Sequence, residues 1–236
     1  LAKAGAQVTL LARNEDRLRA VASELPRVDG PHHDWLAADF SDPERVRRVV
    51  EGALDANRPY HVLVNNTGGP AGGPMIEADP EAFVSAFRAH VLCNQVLVGL
   101  LLSGFESSGY GRVVNIISTS VKAPIPGLGV SNTIRGAVAG WAKTLAWELG
   151  PKGITVNNVL PGFTDTARLS ELFEARAKRS GQPVEQVRDQ AIAMIPARRL
   201  ARPEEIAAAV AFLASPAAGY INGINLPVDG GRTPTL

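Results

Sequence analysis

The 236-residue chain has little cysteine: Cys93 stands alone, so no intrachain disulfide can form and a reducing compartment suits it. Cys93 lies in an apolar helical run and reads as an inert buried thiol. Charge of one sign is missing too. The 24 Lys and Arg and the 23 Asp and Glu are interspersed, leaving a net charge of +1 and no basic face for nucleic acid. The apolar run "QVLVGLLLSGF" is too short to span a bilayer, and no membrane partner is expected. The opening "LAKAGAQVTLLARNED" turns charged early and shows no cleavage pattern, unlike a signal peptide. His32 and His33 sit beside Asp34 without further ligands at metal spacing, which argues against a metal site. These absences describe a cytoplasmic, metal-free protein.

What is present is alternation. Six apolar, β-branched runs predict strands at 7–12, 33–38, 61–66, 111–118, 154–160 and 224–229. Most are near-continuously apolar, the pattern of parallel strands covered on both faces. Helical runs separate them, with start signals at Asp42-Pro43-Glu44, Asp79-Pro80-Glu81 and Pro203-Glu204-Glu205. Strand and helix alternate over the whole length, with no interdomain linker. The expectation is one α/β domain over 1–236, a doubly wound parallel sheet of Rossmann type. Residues 161–202 form a helical insert after a strand end and read as a lid over a site. The start at Leu1 looks like the last turn of a helix before a strand. It suggests that a first strand, with roughly 20 residues by the usual βα layout, lies upstream.

In such a sheet, ligands bind beyond the carboxyl ends of the strands. Those ends carry Arg13 and Asn14, then Asp39 and Phe40, then Asn65, Asn66, Thr67, Gly68 and Gly69. Ser118, Thr119 and Ser120 follow the next strand, and Pro161, Gly162, Phe163 and Thr164 the one after. Small, polar and Gly residues on one rim point to an extended, polyhydroxylated or phosphorylated ligand.

The segments "LVNNTGGP", "GRVVNIIS", "ELGPKGITVNNVLPGF" and "PEEIAAAVAFLASPAAGYINGINLPVDGG" together resemble the short-chain dehydrogenases/reductases, in particular their 3-oxoacyl-acyl-carrier-protein reductase-like members. The resemblance covers nearly the whole chain. It implies a dinucleotide cofactor, a small-molecule substrate and a homodimer or homotetramer. The family's Gly-rich phosphate turn is not in this sequence. The position where an NAD site places an acid reads Ala12, followed by Arg13. Arg attracts a 2′-phosphate, so NADP(H) is expected over NAD(H); the alternative is a solvated surface charge. By resemblance, Asp39 and Phe40 contact adenine, Asn65, Thr67 and Gly68 border the cofactor, and Pro161, Gly162, Thr164 and Thr166 hold the carboxamide.

The catalytic set departs from the family. Its orienting Ser falls on Ser118 and is kept, but its Tyr falls on Ser131, its Lys on Arg135 and its Asn on His90. An aliphatic hydroxyl is far less acidic than a phenol, and Arg cannot shuttle a proton. His90 is either a proton relay or a buried hydrogen-bonded His, and Lys122 either a donor or a loop charge. Two functions follow: an NADP(H)-dependent oxidoreductase acting on a carbonyl, alcohol or enone, or a non-catalytic NADP(H)- or metabolite-binding protein on the same scaffold. The cofactor expectation has a direct test. Arg13→Ala is expected to abolish any preference for NADPH over NADH in equilibrium binding; an unchanged preference rejects the role of Arg13.

Overall fold

The structure, a computed structural model, describes residues 1–26 and 32–235. All six predicted strands are present, most trimmed at their ends: β1 Thr9–Ala12, β2 Asp34–Ala37, β3 Val62–Asn65, β4 Gly111–Ile116, β5 Ile154–Pro161 and β6 Asn225–Val228. The helices are α1 Glu15–Glu24, α2 Pro43–Glu51, α3 Pro80–Phe87, α4 Cys93–Ser108, α5 Gly129–Leu149, α6 Ala167–Ser180, α7 Val184–Ala193 and α8 Pro203–Leu213. The capping signals act as read. Asp42 accepts from the Arg45 amide at 3.0 Å, and Asp79 from the Glu81 amide at 2.9 Å. Each satisfies one of the amides that a helix start leaves unpaired.

Every strand pairing is parallel, in two ladders: β1–β2, and β3–β4–β5–β6 in that order. No ladder joins β1 to β3 among the described residues. A common core joins them instead. Leu11, Leu36, Leu63, Val113 and Val156 from five strands pack with Val46, Val50, Leu97, Phe105 and Ala142 from α2, α4 and α5. The Tyr60 hydroxyl also donates to Thr9 Oγ1 at 3.2 Å, from the residues entering β3 to the start of β1. On the opposite face, Val64, Val114 and Val159 pack against Ile206, Val210 and Leu213 of α8. Helices on both faces explain why the strands read as unbroken apolar runs.

The run 95–105 lies within a long helix. Pro80–Ser108 is continuous over 29 residues, long and apolar enough by length and composition to cross a membrane. Half of its apolar window is buried inside the fold, with Cys93 and Phe105 fully enclosed, so it is accounted for as a core helix. An apolar stripe on α5 turns inward too. Ile134, Val138 and Leu149 are buried, and Trp141 and Leu145 pack partly against the core of the same chain.

The 161–202 insert is a helical hairpin of α6 and α7 with its own small core of Leu169, Phe173, Val187, Ala191, Ile195 and Leu200. Its base is clipped shut by a bridge between Thr164 and Ala201, with the Asp165 amide donating to the Ala201 carbonyl at 2.8 Å.

Phe105 locks α4 onto the sheet where Gly111 leaves room for it. A Cβ at Gly111 would sit 2.9 Å from the Phe105 ring and 2.8 Å from Ile154. Phe105→Ala is expected to cost about 3–5 kcal/mol. Urea unfolding should show this as a lower midpoint with an unchanged slope.

Candidate active site

All strands run the same way, so their carboxyl ends share one rim. Side chains then tie those ends together. Arg135, in the second turn of α5, reaches down to the sheet, where Nη1 donates to the Ile116 carbonyl at 2.9 Å and Nη2 to the Thr67 carbonyl at 3.3 Å. It thereby links the end of β4 to the loop after β3. It is only 9% exposed and has no carboxylate partner among the described residues. Burial pushes its pKa down to about 10, so it remains a cation at neutral pH.

His90 lies beside it on a π-helical turn, Arg88–Leu92, between α3 and α4. Such turns widen the helix and re-aim a side chain. His90 is 3% exposed and hydrogen-bonded to the Gly68 backbone. Burial first, and then the Arg135 charge, hold its pKa at about 4, despite the opposing effect of the Gly68 bond. It is neutral at physiological pH and holds no imidazolium proton to give. Asn65, Thr67, Asn94 and Asn115 complete this narrow polar cleft.

Ser118 is half-buried at the rim. Its Oγ accepts from the Ser120 amide at 3.1 Å, which leaves its proton to donate. Ser131 is half-buried in the first turn of α5. Beside it, Asn132 Nδ2 donates to the Ile125 carbonyl at 2.9 Å and pins the loop leading into the helix. No tyrosine replaces the missing phenol. Tyr60 precedes β3, Tyr110 precedes β4 and Tyr220 precedes β6, so all three lie toward the amino rim of a parallel sheet, opposite Ser118. Tyr110 is occupied there, donating to the Ala214 carbonyl at 2.7 Å.

The cofactor half is arranged as follows. Arg13 projects from the end of β1 with its side chain 76% exposed, 3.9 Å from Asp39. That solvent-exposed pair is weak and leaves the guanidinium available. Asp39 accepts from the Ser41 amide at 2.8 Å, the main cause of its lowered pKa. Phe40 packs partly into the main core, and its carbonyl takes the Cys93 thiol at 3.2 Å. Burial pushes that thiol up to about 11, consistent with the inert reading. A Cβ at Gly68 would meet nothing within 4 Å, leaving open approach to its backbone. Gly162 is packed the other way, since a Cβ there would lie 2.7 Å from Asp229. Pro161 closes β5 just before it. Thr164 Oγ1 donates to the Gly162 carbonyl at 3.3 Å. Thr166 has a structural role besides the one expected: its side chain caps α6, accepting from the Leu169 amide, while its hydroxyl donates to the Thr164 carbonyl.

A dinucleotide fits these residues. Arg13 is open to a phosphate and Gly68 to close approach, and Asn65 Oδ1 is a buried acceptor lacking a donor. Two features escaped the sequence reading. Arg168, on the lid helix α6, donates to the Pro70 carbonyl at 2.9 Å and to the Gly69 carbonyl at 3.5 Å, latching the lid to the loop after β3. Asn65, Asn115, Asn158 and Asn225 also form a hydrogen-bonded row across four strands. The repeated Asn near strand ends was a usable signal, but strand register was needed to align it.

The depressed His90 pKa makes stability depend on pH. As pH falls below 6.5 the unfolded chain binds this proton first. Stability is therefore complete above pH 6.5 and declines toward pH about 4, by on the order of 3 kcal/mol from this group. His90→Asn should flatten denaturation midpoints measured across that window; an equally steep decline would refute the buried neutral state.

Comparison with known proteins agrees with this geometry. The family model for enoyl-(acyl carrier protein) reductase matches residues 1–233. A putative ketoacyl reductase of Streptomyces coelicolor is 32% identical over 98% of this chain and 89% of its own length. L-sorbose reductase from Gluconobacter frateurii, solved with NADPH and L-sorbose, superposes with a TM-score of 0.90 at 30% identity, covering 100% of this chain and 90% of that one. An NADPH-bound short-chain oxidoreductase from Pseudomonas aeruginosa, described as containing an atypical catalytic center, gives 0.87 at 29% identity with the same coverage. With fold, rim and relatives in agreement, the chain belongs to the short-chain dehydrogenase/reductase family, among its 3-oxoacyl-reductase-like oxidoreductases.

Proposed function

We propose that this protein is an NADP(H)-dependent reductase whose preferred substrate is an enone, a carbon–carbon double bond conjugated to a carbonyl. The observation that carries this is the chemistry at the rim: a hydroxyl donor at Ser118, a fixed cation at Arg135, and no phenol, since every tyrosine lies toward the other rim. When bound, the nicotinamide supplies a hydride. Reduction of an isolated ketone leaves a localised alkoxide that needs a proton on oxygen at once. An enone instead takes the new bond at its β-carbon and moves its π electrons toward oxygen, as a delocalised enolate. That oxygen needs hydrogen bonds and positive charge more than an acid. Ser118 orients it and the Arg135 charge lowers its energy, while water protonates the α-carbon.

Support for the cofactor comes from exposed Arg13 and from the NADPH in the solved relatives. Arg13, Asp39 and Phe40 hold the adenosine end. Asn65, Thr67 and Gly68 border the middle, and Pro161, Gly162, Thr164 and Thr166 the carboxamide end. A cytoplasmic homodimer or homotetramer belongs to the same reading. Exposed Trp147 on α5, with Phe212 and Tyr220 near α8, are apolar surface available to such contacts; a monomer mass by light scattering would refute the oligomer.

Full-length protein with NADPH should consume the reduced cofactor faster with enones than with matched ketones or oxoacyl thioesters. Ser118→Ala should lower kcat/KM by about 10²–10³. Faster turnover of ketones sinks the enone preference. Tight NADPH binding with no turnover of any substrate sinks the enzyme.

A further inference from the structure

We propose that Asn158 and Asn225, two and three strands away from β3, are positioning residues that act on the cofactor site through Asn65. Adjacent members of the row are direct register partners: Asn65 with Asn115, Asn115 with Asn158, and Asn158 with Asn225. Asn65 Nδ2 donates to Asn115 Oδ1 at 2.8 Å, Asn115 Nδ2 to Asn158 Oδ1 at 2.9 Å, and Asn158 Nδ2 to Asn225 Oδ1 at 2.8 Å. All four amides therefore point the same way. Asn65, Asn115 and Asn158 are buried, whereas Asn225 lies exposed on the edge strand β6.

The row has a polarity. Its amino end opens at the sheet edge and its carbonyl end is Asn65 Oδ1, buried without a donor. Asn65 and Asn115 line the cleft that also holds Arg135 and His90. Flipping all four amides would preserve the three bonds but would put an NH₂ group, not an oxygen, at the Arg135 end. A buried guanidinium lacking a carboxylate selects the oxygen. Aligned hydrogen bonds also polarise one another, by about 10–30% per bond. The row thus holds Asn65, and with it the start of the loop that carries Thr67 and Gly68, in one orientation at the cofactor rim. Asn225, at the solvent edge, sets the direction of the whole row by accepting from Asn158.

This rests on the nucleotide-binding reading, and the experiment separates the two. Asn225→Leu removes the terminal acceptor at an exposed position, and Asn225→Asp restores an acceptor there. In the nucleotide-free protein, the side-chain amide nitrogen signals of Asn65 and Asn115 should move in Asn225→Leu and return in Asn225→Asp. By fluorescence titration, the NADPH dissociation constant should rise about fivefold in Asn225→Leu, the equivalent of one hydrogen bond, and recover in Asn225→Asp. Wild type that binds no NADPH overturns the nucleotide reading and the role of Asn65 with it. Wild type that binds normally, with Asn225→Leu within about twofold of it or Asn225→Asp no better than Asn225→Leu, overturns the row alone.

Discussion

Arg135 brings a full positive charge into a nearly dry cleft where the backbone carbonyls of Ile116 and Thr67 answer it. Burying an ion this way is costly unless its hydrogen bonds are well made. The arrangement around it follows from that cost. The carbonyls of Ile116 and Thr67 turn inward from two different strand ends. His90 stays uncharged chiefly because it is buried, and further because a second cation would sit beside the first. A lysine could shed its proton under such pressure; a guanidinium cannot, so the surroundings must be built to suit it.

The parallel sheet is what allows so few residues to do this. Six strands running one way bring their carboxyl ends together, and α5 crosses that rim with Ser131 and Arg135 one helical turn apart. The same directionality separates chemistry from structure. Polar groups that precede strands, such as Tyr60 and Tyr110, are drawn into bracing the opposite end of the fold. None of the three tyrosines therefore reaches the rim that carries Ser118 and Arg135.

Much of this was legible in the residues. The six strands, the Asp42 and Asp79 caps and the helical insert over 161–202 follow from local pattern, which depends only on neighbours along the chain. The π turn at His90 did not, because a simple helical period does not anticipate it. The partner of the α5 apolar stripe is not legible for a related reason: an apolar face looks the same whether its partner is this chain or another. Thr166 was read from a motif as a cofactor contact; its hydroxyl serves the backbone as the cap of α6, which the motif did not reveal. The asparagine row and the Arg168 latch join segments up to about a hundred residues apart, and only register and folding bring them together.

The clip between Thr164 and Ala201 makes the α6–α7 hairpin a unit of its own. Both ends of the hairpin leave the body at one point, and α6 and α7 share a private core. Near that base Arg168 fastens it to two carbonyls of the loop after β3, and beyond α7 the Ala197 amide donates to the Gly230 carbonyl. Because this core is separate from the main one, the hairpin can diverge in sequence without weakening what lies beneath.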